Sequence, residues 1–246
     1  MKVCLGVISI GRTYLEEFEK LFKPSVSAYC QRNGYDLKVF TDYLDPTRKH
    51  PDTISFQKCL VPSFLTEYDL VIVLDADIYI HSYTTPIHFL NTGDKIGIVD
   101  EVYQSTPENY TRLINSGFAD SAKDYYQKAG FELNTDKILN TGVILCKPSL
   151  HADYLRSIYE TYVDASIRHP RGFHYEQSCI GYTLQKDSTF VLIPNCWNHI
   201  FVHSQLNRVP VLHQYFIHFA GMRGSARESA LARHTVKSGL RWGIQK

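Results

Sequence analysis

The 246-residue chain has almost no net charge, +1 from 26 basic and 25 acidic residues, so no global field favours nucleic acid or a membrane surface. No apolar run approaches the roughly 18 residues needed to span a bilayer, and there is neither an internal repeat nor a low-complexity linker. The six cysteines form no C-x-x-C pair; scattered in apolar runs, they behave as small hydrophobes and imply a reducing compartment. The opening Met-Lys-Val-Cys-Leu-Gly-Val-Ile-Ser-Ile-Gly has too short an apolar core, and no small-x-small cleavage site, for a signal peptide. It is expected to be a first core strand in a soluble, cytoplasmic protein, and the sequon Asn109-Tyr110-Thr111 matters only if the chain is secreted. A Gly-rich N-terminal phosphate loop is also missing, which argues against a sugar nucleotidyltransferase.

What remains is ordinary globular material, 44% hydrophobic and 21% charged, enough for one full α/β core. Val3 to Ile10 predicts a buried strand, Tyr14 to Arg32 a helix interrupted near Pro24 and closed by Asn33-Gly34, and Tyr35 to Phe40 a second strand. This β-α-β opening implies a right-handed parallel crossover. Ile54 to Leu65 predicts a helix, Leu70 to Leu74 a strand, Pro86 to Leu90 a short helix and Lys95 to Val99 a strand. Asp100 to Thr135 is polar, Tyr-rich and weakly periodic apart from a helical patch at Ala122 to Ala129. It is read as an insertion on the ligand face or a peripheral elaboration, whose Tyr103, Tyr110, Tyr125 and Tyr126 either stack on the rings of a ligand or belong to the core or its rim. Further strands are expected at Ile138 to Cys146, Phe190 to Ile193 and Tyr215 to Phe219, and helices at Asp153 to Ile167 and Tyr175 to Leu184. From Arg223 onward the chain is basic, either a solvated face, a flap over an anionic ligand or a weak attachment to an anionic surface.

The stretch Asp69-Leu-Val-Ile-Val-Leu-Asp75-Ala-Asp77 organises the rest. A short β-branched apolar run reads as a strand buried on both faces, and ligands of open α/β sheets bind outside the carboxyl ends of strands. Two carboxylates there can hold Mn²⁺ or Mg²⁺ against a diphosphate, although acids at strand ends also cap helices and form turns. Other residues carry the same ambiguity. His218 in an apolar run is a core histidine or a ligand, Glu176-Gln177 a first helical turn or a chemical pair, Trp197 core or platform, and Asn140-x-Gly142 a β-bulge or a site strand.

The segment from Gln57-Lys58 to Asp75-Ala-Asp77 resembles the core of the GT-A glycosyltransferases, particularly the retaining group of glycogenin and the bacterial lipopolysaccharide galactosyltransferases. Leu139-Asn140-Thr-Gly142, Glu176-Gln177, Pro194-Asn-Cys-Trp197-Asn198 and Ile217-His218-Phe-Ala-Gly221-Met-Arg223 are similar, in order, to the later segments of that group. Arg32-Asn-Gly34-Tyr35, and the base five residues after His218, also resemble the related plant xylosyltransferases and yeast mannan galactosyltransferases. The resemblance spans Val3 to Arg223. Lys58 stands where the group more often has Arg, and Gly224-Ser225-Ala226 replaces its Lys-Pro-Trp.

The resemblance implies one GT-A (Rossmann-like) domain with a mixed, mostly parallel sheet flanked by helices. Residues 1–100 would form the nucleotide-binding half, 101–135 an acceptor-side insertion, 136–223 the acceptor and metal-closing half, and 224–246 a basic C-terminal segment. It implies transfer of a sugar from a UDP-sugar to a hydroxyl of a glycan or glycoconjugate, with retention. Asp75, Asp77 and His218 would hold Mn²⁺ or Mg²⁺; Lys58 and Arg223 the diphosphate; Ser9, Ala76 and Gly221 further parts of the donor; Gln177, Glu176 and Asn140 the reacting sugar. An inverting enzyme would need a base, for which Asp100, Glu101 and Glu176 are candidates, and a non-catalytic nucleotide-sugar binder is a further alternative. Strand-Asp-x-Asp also opens haloacid-dehalogenase-type phosphatases, but those expect Thr or Val two residues after the second Asp, near the chain start, where Tyr79 stands here.

Overall fold

A computed structural model describes residues 1–104, 106–117, 119–168, 175–203 and 214–237. The expected opening is present: β1 (Val3–Ile8), a helical stretch and β2 (Asp36–Phe40), with β1 and β2 parallel. The helical stretch runs from α1 (Arg12–Glu17) through a widened π-helical turn (Phe18–Phe22) into α2 (Lys23–Asn33). Pro24 lacks the N–H that a continuous α-helix would use at that point, so the interruption falls just before it. The chain then supplies β3 (Leu70–Asp75), β4 (Ile78–Ile80) and β5 (Ile96–Asp100).

Two expectations are corrected. Ile54 to Leu65 is not one α-helix but two 3₁₀ segments, Ser55–Cys59 and Val61–Phe64; Pro62 lacks the N–H that a continuous α-helix would bond four residues back. The polar insertion carries α3 (Pro107–Asn115) besides the anticipated patch, α4 (Ala122–Lys128). Its start is capped by the Thr106 hydroxyl, which accepts from Asn109 N at 3.3 Å, with Pro107 in the first turn where a missing N–H costs nothing. The remaining elements are β6 (Leu139–Cys146), α5 (Pro148–Arg168), α6 (Tyr175–Lys186), β7 (Phe190–Leu192), β8 (His199–Ile200), β9 (Phe216–His218) and α7 (Gly224–Lys237).

Six strands form a sheet in the order β2-β1-β3-β6-β5-β7. Only β6 runs against its neighbours, so the sheet is mixed and mostly parallel. Side chains alternate between two cores. Leu5, Val7, Ile72 and Leu74 face the 12–33 helical stretch and α7, while Val71 and Val73 face the 3₁₀ segments, α5 and α6. Apolar residues on both faces of β1 and β3 are therefore what a helix-sheet-helix sandwich demands. A smaller sheet, β4-β9-β8, sits at the carboxyl end of β3. All six cysteines are free, five of them buried. Among the described residues no helix is long and apolar enough to cross a membrane.

Side-chain hydrogen bonds tie loops to this frame. The buried Tyr29 hydroxyl donates to Thr85 O at 2.9 Å and accepts from Ile87 N at 2.8 Å, fixing the chain after β4 onto α2. Tyr29→Phe strands both backbone groups, and we expect a loss of about 1–3 kcal/mol, read as a lower urea midpoint with unchanged m-value.

His81 on the loop after β4 and His234 on α7 meet at 2.9 Å between their Nε2 atoms. Burial pushes His81, His234 and His199 down to about 4, below the ordinary histidine value near 6.5. The unfolded chain then binds protons that the folded chain refuses, so these groups cost stability as pH falls from about 6.5 toward about 4. Urea midpoints should drop across that window, and less steeply in His81→Phe.

Candidate functional site

The β1–β3 register sets Ile8 beside Asp75, which brings Ser9 to the start of the acidic pair. On the other side β3 pairs with β6 as far as Leu74 opposite Val143, leaving Asp75 next to Thr141 and Gly142. Here β6 advances from Ile144 to Asn140 while β5 moves only from Ile98 to Val99, so Thr141, Gly142 and Val143 bulge out of regular pairing with β5. The bulge reading of Asn140-x-Gly142 is what the pairing shows, and Asn140 and Thr141 also line a cavity. Antiparallel pairing of β4 with β9 places Ile78 opposite His218, and Phe219 N donates to Asp77 O at 3.0 Å. That pairing returns the chain to the acidic pair. A left-handed turn at Gly221, φ 75°, which L side chains rarely adopt, then carries Arg223 to the cavity mouth.

The eleven residues assigned from the sequence to metal, donor and reacting sugar all line one cavity of about 500 Å³; Trp197, Asp100 and Glu101 are not among the residues lining it. Asp75, Asp77 and His218 offer ligand atoms all within 4.8 Å of one another. His218 Nε2 lies 3.1 Å from Asp77 Oδ1 and 3.6 Å from Asp75 Oδ2. Two carboxylates and one imidazole suit a divalent cation of the Mn²⁺ type. The wall also carries polar atoms with no partner among the described residues, notably the buried Ser9 Oγ and Ser55 Oγ, and buried polar groups are normally satisfied. A polar ligand fits that pattern.

Lys58 is almost fully buried and threads between carboxylates, 2.6 Å from Asp75 Oδ1 and 2.5 Å from Glu176 Oε1, with Thr141 O at 3.2 Å. Its ammonium is thus engaged within the protein rather than held open to the cavity. Burial by itself would lower its pKa, but Asp75 and Glu176 outweigh burial and hold it above the usual lysine range. Glu176, buried as well, is kept below its usual value by Lys58 and by the Thr141 hydroxyl, which donates to it at 2.8 Å. Asp75 is raised, mainly by burial. Asp77 is brought down to about 2 despite burial, by His218 and Arg227, and His218 is raised against burial by Asp77 and Asp75. Arg223, by contrast, is exposed with no carboxylate paired to it among the described residues.

Several participants were not legible as such. Arg227, a member of the supposed solvated basic stretch, is only 8% exposed and bridges Asp77 at 2.9 Å and Glu17 at 3.0 Å. No local signal marks an ion pair spanning 150 residues. Much of the stretch is therefore α7, packed on the core through Ala230 and Leu231; Arg241 and Lys246 lie outside the described residues. Glu101 accepts from Asn140 Nδ2 at 3.0 Å and Gln177 Nε2 at 3.2 Å. Of the four tyrosines, Tyr110 and Tyr126 are core, Tyr125 is buried at the cavity wall and the Tyr103 side chain lies outside the described residues. Trp197 is core, packed on Tyr215 and Phe216.

No protein-family model and no curated relative matches the sequence. Solved structures do match. A glycosyltransferase involved in glycosylation of the major capsid of PBCV-1 has a TM-score of 0.62 at 15% identity, over 95% of this chain and 99% of that one. The galactosyltransferase LgtC, solved with donor and acceptor sugar analogues, has 0.61 at 13%, over 100% and 98%. Mouse xyloside xylosyltransferase 1, in its apo form, has 0.51 at 13%, over 90% and 98%. The chain has the fold that these glycosyltransferases share, the GT-A fold its sequence resembles.

Removing Lys58 should expose the cost of the charges around it. Lys58→Met leaves Asp75 and Glu176 buried without their cation, and we expect a loss of about 3–5 kcal/mol in denaturant unfolding. Glu176→Gln added to Lys58→Met should restore part of it.

Proposed function

We propose that the chain is a glycosyltransferase that moves a hexose or pentose from a UDP-sugar to a hydroxyl of a glycan or glycoconjugate, with retention at the anomeric carbon. The observation that carries this reading is the convergence of Asp75, Asp77 and His218, from two strand ends far apart in sequence, on one cavity. The shared fold supports it. Within that cavity Ser9 is suited to the nucleoside, with Ala76 and Gly221 contributing wall and backbone. Arg223 is the cation open to a diphosphate, and Lys58 holds Asp75 and Glu176 in place. When bound, Mn²⁺ or Mg²⁺ at Asp75, Asp77 and His218 supplies charge that offsets the leaving group.

Gln177, Glu176 and Asn140 line the wall where the sugar would lie. The oxygens of Gln177 and Glu176 suit the positive charge that develops at the anomeric carbon, and Asn140, whose Oδ1 is taken by Gly142 N and Asn198 Nδ2, shapes that wall. Retention is favoured by the state of the acids. Among the described residues lining the cavity, Glu17, Asp75, Asp77 and Glu176 are each paired with a cation. Asp100 and Glu101, the other candidate bases for inversion, are not among the residues lining the cavity. Asp100 is buried, which raises it to about 6, and accepts from Val102 N and Ile138 N through Oδ1; Glu101 accepts from Asn140 and Gln177. The acceptor's proton then passes to the departing diphosphate oxygen on the same face as the new bond. In this reading residues 1–100 bind the nucleotide, 136–223 close the site, and 101–135 with Tyr125 face the acceptor.

Purified protein should hydrolyse or transfer from at least one UDP-sugar in a panel when Mn²⁺ is supplied. Asp77→Ala and His218→Ala should each abolish metal-assisted donor binding in calorimetry, and Gln177→Ala should lose turnover while retaining it. Cleavage of a generic aryl phosphate without binding of any nucleotide-sugar would sink the assignment.

A further inference from the structure

His218 has two ring nitrogens, and only one faces the acidic pair. Nε2 is turned toward Asp75 and Asp77, whereas Nδ1 lies 3.0 Å from Asn198 Oδ1. Left to these carboxylates alone, a neutral ring would carry its proton on Nε2, where Asp77 accepts it, and a protonated nitrogen cannot ligate a cation. Something must draw the proton to the other side.

The direction of every bond behind the ring is fixed by groups that cannot reverse. The Glu101 carboxylate only accepts, so Asn140 Nδ2 donates to it at 3.0 Å. The Gly142 amide only donates, so Asn140 Oδ1 accepts from it at 2.9 Å. With Asn140 Oδ1 thus defined as an acceptor, Asn198 must present Nδ2 to it, at 2.6 Å, and that leaves Oδ1 facing His218. The Asn198 peptide is itself held: Gln104 Nε2 donates to its carbonyl and Gln104 Oε1 accepts from Ile200 N at 2.6 Å. Asn198 is fully buried, with Asn140 and His218 nearly so, so water does not compete. Gly142 leaves the room required, since a Cβ there would stand 2.5 Å from the His218 ring and 2.9 Å from Asn198 Oδ1.

We propose that Asn198 is a positioning residue that fixes which ring nitrogen His218 turns toward Asp75 and Asp77. It accepts the Nδ1 proton, so that the neutral ring presents an Nε2 lone pair to the cation. The proposal rests on the reading of Asp75, Asp77 and His218 as a cation site. Residues that orient a ligating histidine through its other nitrogen typically govern metal affinity by about 10–100-fold.

The test uses the full chain labelled with ¹⁵N-histidine, with the His218 signals identified by their loss in His218→Phe. Long-range ¹H–¹⁵N spectra of the neutral ring should show a proton on Nδ1 in the wild type. In Asn198→Leu the proton should move to Nε2, and Mn²⁺ affinity by calorimetry should fall by about 10–100-fold. Asn198→Ala repeats the measurement should the Leu variant fail to fold. A wild-type ring protonated on Nε2, or an Nδ1 proton retained when the amide is removed, overturns the proposal. A wild-type protein that binds neither Mn²⁺ nor Mg²⁺, with or without UDP, instead sinks the reading of Asp75, Asp77 and His218 as a cation site, and the tautomer measurement separates that failure from failure of the positioning role.

Discussion

Three carboxylates, Asp75, Asp77 and Glu176, meet at the carboxyl end of β3, and the arrangement depends on the cations set between them. Lys58 separates Asp75 from Glu176, Arg227 ties Asp77 to Glu17, and His218 lies between Asp75 and Asp77. Buried like charges repel and are poorly solvated, so such a cluster survives only with close opposite charges and good geometry. Each cation comes from a different segment: Lys58 from a 3₁₀ turn, His218 from β9, Arg227 from α7. The cluster therefore forms only when the sheet, its 3₁₀ flank and the C-terminal helix are all docked.

The backbone makes this docking specific. β6 is the one strand that runs against the rest of the main sheet, and its bulge beside Val99 puts Asn140 and Thr141 at the cavity. Gly142 in the bulge allows His218 and Asn198 to approach a strand that any side chain would hold away. The small β4-β9-β8 sheet then joins Asp77, Asn198 and His218 through short pairings. Close-packed interiors transmit displacement, so the site's geometry is a property of these strand ends rather than of flexible loops.

Much of this was legible where local chemistry speaks for itself. The apolar run before Asp75, the Asn33-Gly34 helix end and the β-α-β opening each follow from patterning and turn preference. The order of Lys58, Asp75-x-Asp77, Asn140, Glu176-Gln177 and His218 pointed to residues that do share a cavity. Local chemistry misled where two signals competed. The helical periodicity of Ile54 to Leu65 lost to Pro62, and the weak pattern of the insertion concealed α3, whose Thr106-Pro107 start was a better guide than its hydrophobicity. Arg227 looked like one more solvated base because its partners lie far away in sequence.

The sequence by itself determined the α/β class and the strand-end acids, because periodicity, caps and turns act over a few residues and leave local marks. The residues that gather around those acids were implied only by the ordered resemblance to the GT-A enzymes. Only the tertiary structure decided how those residues divide their work. Lys58 turns inward to two carboxylates, Arg223 stays open, Arg227 joins the cluster, and Asn198 faces the far side of His218. Those assignments depend on distances of a few ångströms between groups up to 150 residues apart. No local pattern encodes them, since they follow from which strand ends the sheet order places side by side.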